Sequence, residues 1–222
     1  MFRAIGKLLL AALALSACSI VSERVVVGSG VMATETRPLE GVTGVSLETV
    51  GNGRITVGNE ESIVIEAESN LLPLITTRVD RGTLRIAVGP RDGILPTETI
   101  RYTITVSRVD RLVLSGAGNL DVIDLGNDEL DVDLPGSGNI NVSGQVERLQ
   151  VDITGAGNVD TAALAADDVS VAVSGAGSAT VWARATLDAT VTGVGTIRYW
   201  GEPVVSEDVS GVGQIVPLGG FG

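Results

Sequence analysis

From residue 111 onward, apolar and polar residues alternate along the chain, and a pair of glycines interrupts the alternation at regular intervals. The motif Ser/Thr/Pro-Gly-x-Gly occurs six times, with its first glycine at positions 116, 136, 155, 175, 193 and 211. Alternation with a period of two indicates β-strands with one buried face. A repeat of 18 to 20 residues is typical of a solenoid rather than of a globular domain. The sequence therefore predicts a stack of similar coils.

Alignment of the repeats on their first glycine puts apolar residues in the same places in every coil. This pattern predicts two strands per coil, joined at the glycines, in an all-β fold: a right-handed, single-stranded parallel β-helix, or β-solenoid, of about 18–20 residues per turn. The column two residues before the glycine contains Leu114, Leu134, Ile153, Val173, Val191 and Val209, and the column four residues after it contains Leu120, Ile140, Val159, Ala179, Ile197 and Ile215.

The glycine pairs are predicted to form structural corners. A sharp bend between strands requires positive φ, which glycine adopts without the cost of a Cβ atom. A phosphate-binding loop is not supported, because no helix follows the motif. Behind the corners stand Asn119, Asn139 and Asn158, whose amides are expected to form a ladder along the axis. The predicted corner residues are Gly116, Gly118, Gly136, Gly138, Gly155, Gly157, Gly175, Gly177, Gly193, Gly195, Gly211 and Gly213.

The preceding stretch has the same pattern in a less regular form. Gly28-Ser29-Gly30 and Gly51-Asn52-Gly53 resemble earlier corners, and Asn70 to Ile75 is expected to form a short helix. No linker rich in proline or charge is seen, so residues 27–222 are expected to form one domain. Further predicted features are strands over 62–67, 83–88 and 100–106, a turn at 80–82 and an insertion loop over 89–99.

The first residues have the layout of a secretory signal peptide. A positive start is followed by an apolar run and by small residues just before Cys18, and the run is too short to span about 30 Å of hydrocarbon. Leu15 to Cys18 resembles the bacterial lipobox, in which the cysteine becomes lipidated, and Cys18 is the only cysteine of the chain. We expect a lipoprotein signal peptide at 1–17, a tether at 18–26 and the solenoid at 27–222. An aspartate after the lipidated cysteine is associated with retention in the inner membrane. Ser19 stands at this position instead, which favours a location at the outer membrane, on its periplasmic or its external face.

Charge limits the partners. Removal of 1–17 takes away Arg3 and Lys7, which leaves 13 basic and 27 acidic residues and a net charge of −14. So acidic a surface repels nucleic acid and anionic lipid. Nucleic acid is therefore not an expected partner, and the membrane is expected to hold the protein through acyl chains on Cys18.

The side chains that remain restrict the chemistry. The chain has no histidine, and the mature part has no lysine and no free thiol, which removes imidazole bases, thiolate nucleophiles, Schiff bases and most transition-metal sites. No cofactor, bound metal or catalytic constellation is therefore expected, and carboxylates are the chemistry that remains. Asp133 and Asp152 align on successive coils, with Asp131 nearby and Arg111 one coil below. These acids could bind calcium or resemble a glycosidase pair. The alternative is a solvated acidic face, partly neutralised by Arg111, with no apolar surroundings to raise a pKa.

Two tryptophans form the other candidate site. Trp182 and Trp200 align one coil apart and are predicted to point outward. Stacked indoles on a lectin-like face would bind a sugar ring, whereas the same residues could shield a loop or the C-terminal end of the solenoid.

Several of these motifs together resemble one family. The sequence Val-Gly-Ser-Gly from Val27, the segment Asn70-Leu71-Leu72-Pro73 and the tandem Ser/Thr-Gly-x-Gly-Asn repeats are similar to the head-GIN domain family of autotransporter adhesins. Gly138-Asn139-Ile140 lies where that family has Gly-Ile-Asn. The resemblance covers roughly residues 27 to 216 and implies a β-helix with a surface role.

These observations favour a lipid-anchored, non-catalytic module of the bacterial cell envelope, with a glycan or an envelope protein as its partner. Two alternatives remain open. A polysaccharide lyase or hydrolase would be favoured by a groove lined with several acids and arginines. A self-assembling scaffold would be favoured by an uncapped final coil with an exposed strand edge. The oligomeric state is not predicted.

Overall fold

A computed structural model of the protein describes residues 24–89 and 92–220, so the predicted signal peptide and Cys18 lie outside the described residues. Stacked parallel coils of strand form a β-solenoid, which confirms the predicted fold class. The strands are β1 Arg24–Val27, β2 Met32–Pro38, β3 Gly44–Leu47, β4 Val50–Val57, β5 Ser62–Glu68, β6 Ile75–Asp80, β7 Thr83–Val88, β8 Asp92–Leu95, β9 Arg101–Val106, β10 Arg111–Leu114, β11 Ala117–Leu134, β12 Ser137–Ile153, β13 Ala156–Val173, β14 Ala176–Val191, β15 Val194–Trp200, β16 Val204–Val209 and β17 Val212–Gly219.

The coils from β10 onward follow one another in sequence order. Strand β11 pairs in parallel with β12, β12 with β13, and β13 with β14. The register places Asn119 beside Asn139 and Asn139 beside Asn158, as the glycine spacing predicts. Apolar columns face inward along the whole stack and form one continuous core, mainly of valine, isoleucine, leucine and alanine, together with Tyr102 and Tyr199. Each coil is therefore stabilised mainly by the coils above and below it.

The corner glycines are required for a reason that differs from the prediction. Gly155 does not have a positive φ, but a Cβ atom on it would lie 2.1 Å from the carbonyl oxygen of Gly136 in the coil below. The second glycines are equally close, with 2.0 Å at Gly157. Positive φ occurs at Gly118 and Gly138 of this set. Close approach of successive coils, not backbone bending, is the common cause.

The N-terminal coils are stacked out of sequence order. Strand β4 pairs with β9 on one side and with β11 on the other, and β3 pairs with β7 and with β10. Residues 44–57 therefore lie between the coil of 83–106 and the coil that begins at Arg111. Gly51 lies beside Gly118, and Asn52 lies beside Asn119. The segment 51–53 is thus an earlier corner, with Gly51 as its second glycine.

Antiparallel strands close the N-terminal end. Strand β5 pairs with β9 and β2, and β6 pairs with β7, in each case antiparallel. The predicted strands over 62–67, 83–88 and 100–106 are present as β5, β7 and β9, and the predicted short helix is a single 3-10 turn at Leu72–Leu74.

Two expectations for this region are wrong. Gly28-Ser29-Gly30 does not lie in the column of corners. It joins β1 to β2, and Gly28 leaves no space for a Cβ because it packs on the carboxylate of Glu68. The stretch 89–99 is not simply a loop, since it contains β8, which pairs in parallel with β1 as a two-stranded ribbon.

The C-terminal end has no covering strand among the described residues. Strands β16 and β17 form the last coil and pair with β14 and β15. Glu207 lies beside the buried Ala189, at an inward-facing position of the stack. Pro217, in β17, has no N–H group to donate. Inward charges and prolines are common ways in which proteins prevent strand addition at an open edge.

Candidate functional site

Three aspartates come together where the aligned columns predict them. Asp131 and Asp133 lie on β11, and Asp152 lies beside Asp133 on β12. One carboxylate oxygen from each lies within 4.8 Å of the others. They form a single acidic cluster because alternate residues of a strand share a face and successive coils are stacked in register.

Arg111 neutralises part of this cluster. Its guanidinium donates a hydrogen bond of 2.7 Å to Asp131 and another to Asp133. It comes from β10, where Arg111 lies beside Asp131. Oxygen ligands of this kind suit calcium, but a cation would have to displace the guanidinium, which already lies between two of the carboxylates. The cluster is therefore built as an ion-pair network.

Asp131 differs from a simple solvated acid. Burial, and next the negative charge of Asp133, raise the pKa of Asp131, while the positive charge of Arg111 opposes that shift. Its Oδ1 is buried and has no hydrogen-bond partner among the described residues. The expectation that no surroundings raise a pKa here is wrong, because neighbouring coils desolvate an outward side chain even on a surface column.

The cluster adjoins an open groove of about 600 Å³ that crosses several coils. Its floor is formed by the largely buried Leu130, Leu149 and Val169. Two outward columns of polar side chains flank this floor, one on each side, because the floor residues point inward and their neighbours in sequence point outward. The polar residues lining the groove are Asp110, Arg111, Glu129, Asp131, Arg148, Gln150, Asp168, Ser170, Thr186 and Asp188.

Hydrogen bonds between coils fix the groove walls. Arg148 donates to Glu129 at 3.1 Å, and the Thr186 hydroxyl donates to Asp168 at 2.6 Å. On the cluster side, the Gln150 amide donates to Asp152 of the same coil at 2.9 Å. The groove thus has both hydrogen-bond donors and acceptors at its rim, with an excess of carboxylates.

The tryptophans form a separate feature. Trp182 lies beside Trp200 on the next coil, as the alignment predicts, and both side chains are half-buried. Neither lines the groove. The structure therefore does not bring the two candidate sites together.

The polar ladder is present and extends further than predicted. The Asn139 amide donates to Asn119 at 2.8 Å, and Asn158 donates to Asn139 at 3.0 Å. Below them, Asn119 donates to Asn52 at 2.9 Å. Asn52 follows Gly51 just as Asn119 follows Gly118, and this shared Gly-Asn pair is the signal that could have identified it.

Sequence patterns did not reveal a buried carboxylate in the N-terminal region. Glu68 is fully buried and accepts hydrogen bonds from the backbone N–H of Gly30 at 2.6 Å and of Thr97 at 2.9 Å. The Thr97 hydroxyl also donates to it, at 2.5 Å. This hydroxyl first, and then the backbone N–H groups, lower the pKa of Glu68. The neighbouring Asn70 bridges Val27 and Ser29.

Comparison with known proteins identifies the family. The model of the family described as "Putative auto-transporter adhesin, head GIN domain" matches residues 43–203, and the chain belongs to this family. A search of curated proteins finds no match to the chain.

Several solved structures have a similar fold. One, described as a putative adhesin from Bacteroides fragilis, has a TM-score of 0.70 and 23% identity, and the match covers 87% of this chain and 100% of the other. A second, a putative adhesin from Parabacteroides merdae, has a TM-score of 0.59 and 20% identity, with coverage of 88% and 99%. A putative lipid binding protein from Parabacteroides distasonis has a TM-score of 0.51 and 18% identity, with coverage of 88% and 100%.

No helix that could span a lipid bilayer is present in the part of the chain that the structure describes.

Proposed function

We propose that the protein is a non-catalytic binding module of the bacterial cell envelope, anchored to the outer membrane through lipidated Cys18, and that the groove beside the acidic cluster is its ligand surface. The groove itself is the observation that carries the proposal, because a concave surface with an apolar floor and a polar rim is typical of a binding site. The family description as an adhesin supports a role at the cell surface.

The chemistry of the rim favours a glycan as the ligand. Carboxylates at the rim accept hydrogen bonds from hydroxyl groups, while Arg148 and Gln150 donate them. The coils are about 4.8 Å apart, so equivalent side chains recur along the axis and match a polymer that lies along the groove. The inter-coil hydrogen bonds hold these side chains in place before the ligand arrives, which lowers the entropic cost of binding.

A second candidate is a polysaccharide lyase or hydrolase. It is favoured by the raised pKa of Asp131 and by carboxylate oxygens within 4.8 Å of one another, close to the separation of about 5 Å in retaining glycosidases. The guanidinium of Arg111 argues against it, because a carboxylate that is held as an ion-pair acceptor is a poor proton donor.

A glycan-array screen of the lipidated protein tests the proposal. We expect binding to one class of envelope glycan, and loss of that binding in Asp131→Ala, which removes a carboxylate that lines the groove. Asp208→Ala is the control, because Asp208 is an outward aspartate of the last coil that lies outside the groove. Trp182→Ala should also bind normally.

Equal binding by Asp131→Ala and the unsubstituted protein would exclude the groove as the ligand surface. Release of new reducing or unsaturated sugar ends by the unsubstituted protein, abolished in Asp131→Asn, would favour the enzyme instead.

A further inference from the structure

The β1–β8 ribbon carries an exposed apolar surface that the fold does not need. Val27 lies beside Leu95, and Val25 points to the same face because it is two residues away on the same strand. These three side chains are 55%, 58% and 61% exposed, respectively. Exposed apolar residues that are contiguous often mark an interaction site, whereas single exposed apolar residues are common on any protein surface.

The opposite face of the ribbon already provides its attachment to the core. Val26 lies beside Ile94, and Ile94 packs against the hydrophobic core. A two-stranded ribbon on a protein surface normally has apolar residues on its inner face and polar residues on its outer face. Here both faces are apolar, so the outer face requires a separate explanation.

Specific hydrogen bonds hold the ribbon in position. The Asn70 amide donates to the carbonyl of Val27 at 2.8 Å and accepts from the N–H of Ser29 at 3.0 Å. Glu68 binds both of the loops that follow the two ribbon strands, through Gly30 and Thr97. The apolar face is therefore presented in a fixed orientation.

The position of the ribbon in the chain indicates what covers this face. Six residues separate Cys18 from Val25, and a chain extends by at most about 3.6 Å per residue. A lipidated Cys18 would thus keep the ribbon within about 25 Å of the acyl chains. The exposed Val212 lies on β17, at the opposite end of the strand order from β7, which β8 follows in the chain.

We propose that Val25, Val27 and Leu95 form a membrane-docking surface that rests on the phospholipid bilayer and orients the solenoid relative to it. The inference rests on the proposed lipid anchor. Apolar side chains of such surfaces enter the boundary between headgroups and acyl chains. The docking is independent of charge, in keeping with a mature chain that carries a net charge of −14.

Fluorescence quenching by brominated lipids tests the docking. The lipidated protein is placed in phosphatidylcholine vesicles with brominated acyl chains and carries an environment-sensitive label at Val27→Cys or, as the control, at Val212→Cys in the last coil. Both positions are exposed valines. Because docked side chains lie about 5–10 Å inside the interface, we expect roughly threefold stronger quenching at position 27 than at position 212.

A second variant separates docking from simple proximity. Val25→Ser with Leu95→Ser should reduce quenching at position 27 to the level of position 212, without a change in unfolding, because both residues are exposed. Equal quenching at the two positions in protein whose Cys18 is acylated, as shown by mass spectrometry, would overturn the docking alone. Absence of acylation would overturn the anchor and the docking with it.

Discussion

The two halves of the solenoid reach the same stacked arrangement by different means. Beyond Arg111, each coil lies on the one that precedes it in sequence, and glycine pairs let the coils approach closely. Before Arg111, residues 44–57 are inserted between coils that follow them in the chain. Long-range hydrogen bonds to Glu68 and Asn70 hold that region together.

The difference shows that repetition and specific contacts can define the same fold. In the tandem half, beyond Arg111, the same glycine pair recurs at every corner and is sufficient to stack each coil on the preceding one, so no individual polar side chain determines the order of the coils. In the N-terminal half, before Arg111, no regular repeat sets the order of the coils, so buried polar groups with particular partners must determine it. One carboxylate in each half illustrates the contrast. In the N-terminal half, hydrogen bonds from particular partners lower the pKa of Glu68, whereas in the tandem half, burial between stacked coils raises the pKa of Asp131.

The largest effect is expected from a corner glycine of the tandem half. In Gly155→Ala the new Cβ would lie 2.1 Å from the backbone oxygen of Gly136, so the coils must move apart. We expect a loss of roughly 3 kcal/mol in the free energy of unfolding, at the upper end of the usual cost of overpacking. Urea denaturation measures it.

The matched control is Gly126→Ala, in β11, where a Cβ would meet no atom within 4 Å. This change should be nearly neutral. Similar losses in both variants would mean that close approach of the coils is not the reason for the corner glycines.

The next effect concerns the N-terminal half and is pH-dependent. Because Thr97 and the backbone lower the pKa of Glu68 from its ordinary 4.5, the stabilisation by its carboxylate is complete above pH 4.5 and is lost as the pH falls through the lowered value. Glu68→Gln should therefore be less stable than the unsubstituted protein at pH 7, and its stability should change less on acidification. Urea denaturation at pH 7 and pH 3 tests both points.

Glu66→Gln, two residues earlier on β5, serves as the control, because Glu66 is partly exposed and forms only a long ion pair, of 3.9 Å, with Arg101. If Glu68→Gln showed the same stability and the same acid sensitivity as Glu66→Gln, the buried carboxylate would have no role in holding the N-terminal half.

Gly155 could be assigned to a corner from the sequence alone, whereas the role of Glu68 could not be predicted. The corners, the asparagine ladder and the proximity of Asp133 to Asp152 follow from a fixed period, because residues one coil apart become neighbours. The position of 44–57 does not follow, since its partners are 67 residues away in the case of Gly51 and Gly118. Glu68 was not identified because its partners are backbone N–H groups and the hydroxyl of Thr97, 29 residues away, and neither leaves a periodic pattern in the sequence.

The groove could be predicted only in part. Aligned columns indicated that acids and Arg111 share a face, but whether that face is flat or concave depends on how each coil bends between its corners. The same is true of the pKa of Asp131, which depends on burial by neighbouring coils and not on residue types alone.

A smaller effect is expected from the asparagine ladder. Asn139→Ala removes the hydrogen bonds to Asn119 and from Asn158. We expect a loss of about 1 kcal/mol in the free energy of unfolding, as is usual for exposed or partly exposed hydrogen bonds. Gln214→Ala is the control in the same column, where the coil below offers Thr196 in place of asparagine. An equal loss in the two variants would show that the ladder contributes nothing particular.

A substitution in the last coil, at the open C-terminal end of the stack, should have the smallest effect on unfolding but a measurable effect on self-association of the protein. Glu207→Val places an apolar side chain at an inward-facing position of the last coil, which removes one barrier to end-to-end pairing. We expect the apparent mass in sedimentation experiments to rise with protein concentration, while Asp208→Val, which removes a neighbouring outward charge, leaves it unchanged. A Glu207→Val protein whose mass is independent of concentration would exclude this protective role.

Distances along the axis test the central claim, that residues one period apart are vertical neighbours. Spin labels are placed at Ser115 and, in separate samples, at Ser174, Thr192 or Ser210, all of them exposed residues at the corners, in a Cys18→Ser background. Double electron–electron resonance should give separations of about 14, 19 and 24 Å, which increase by the spacing of one strand per coil. Separations that do not increase in equal steps from one coil to the next would contradict the account.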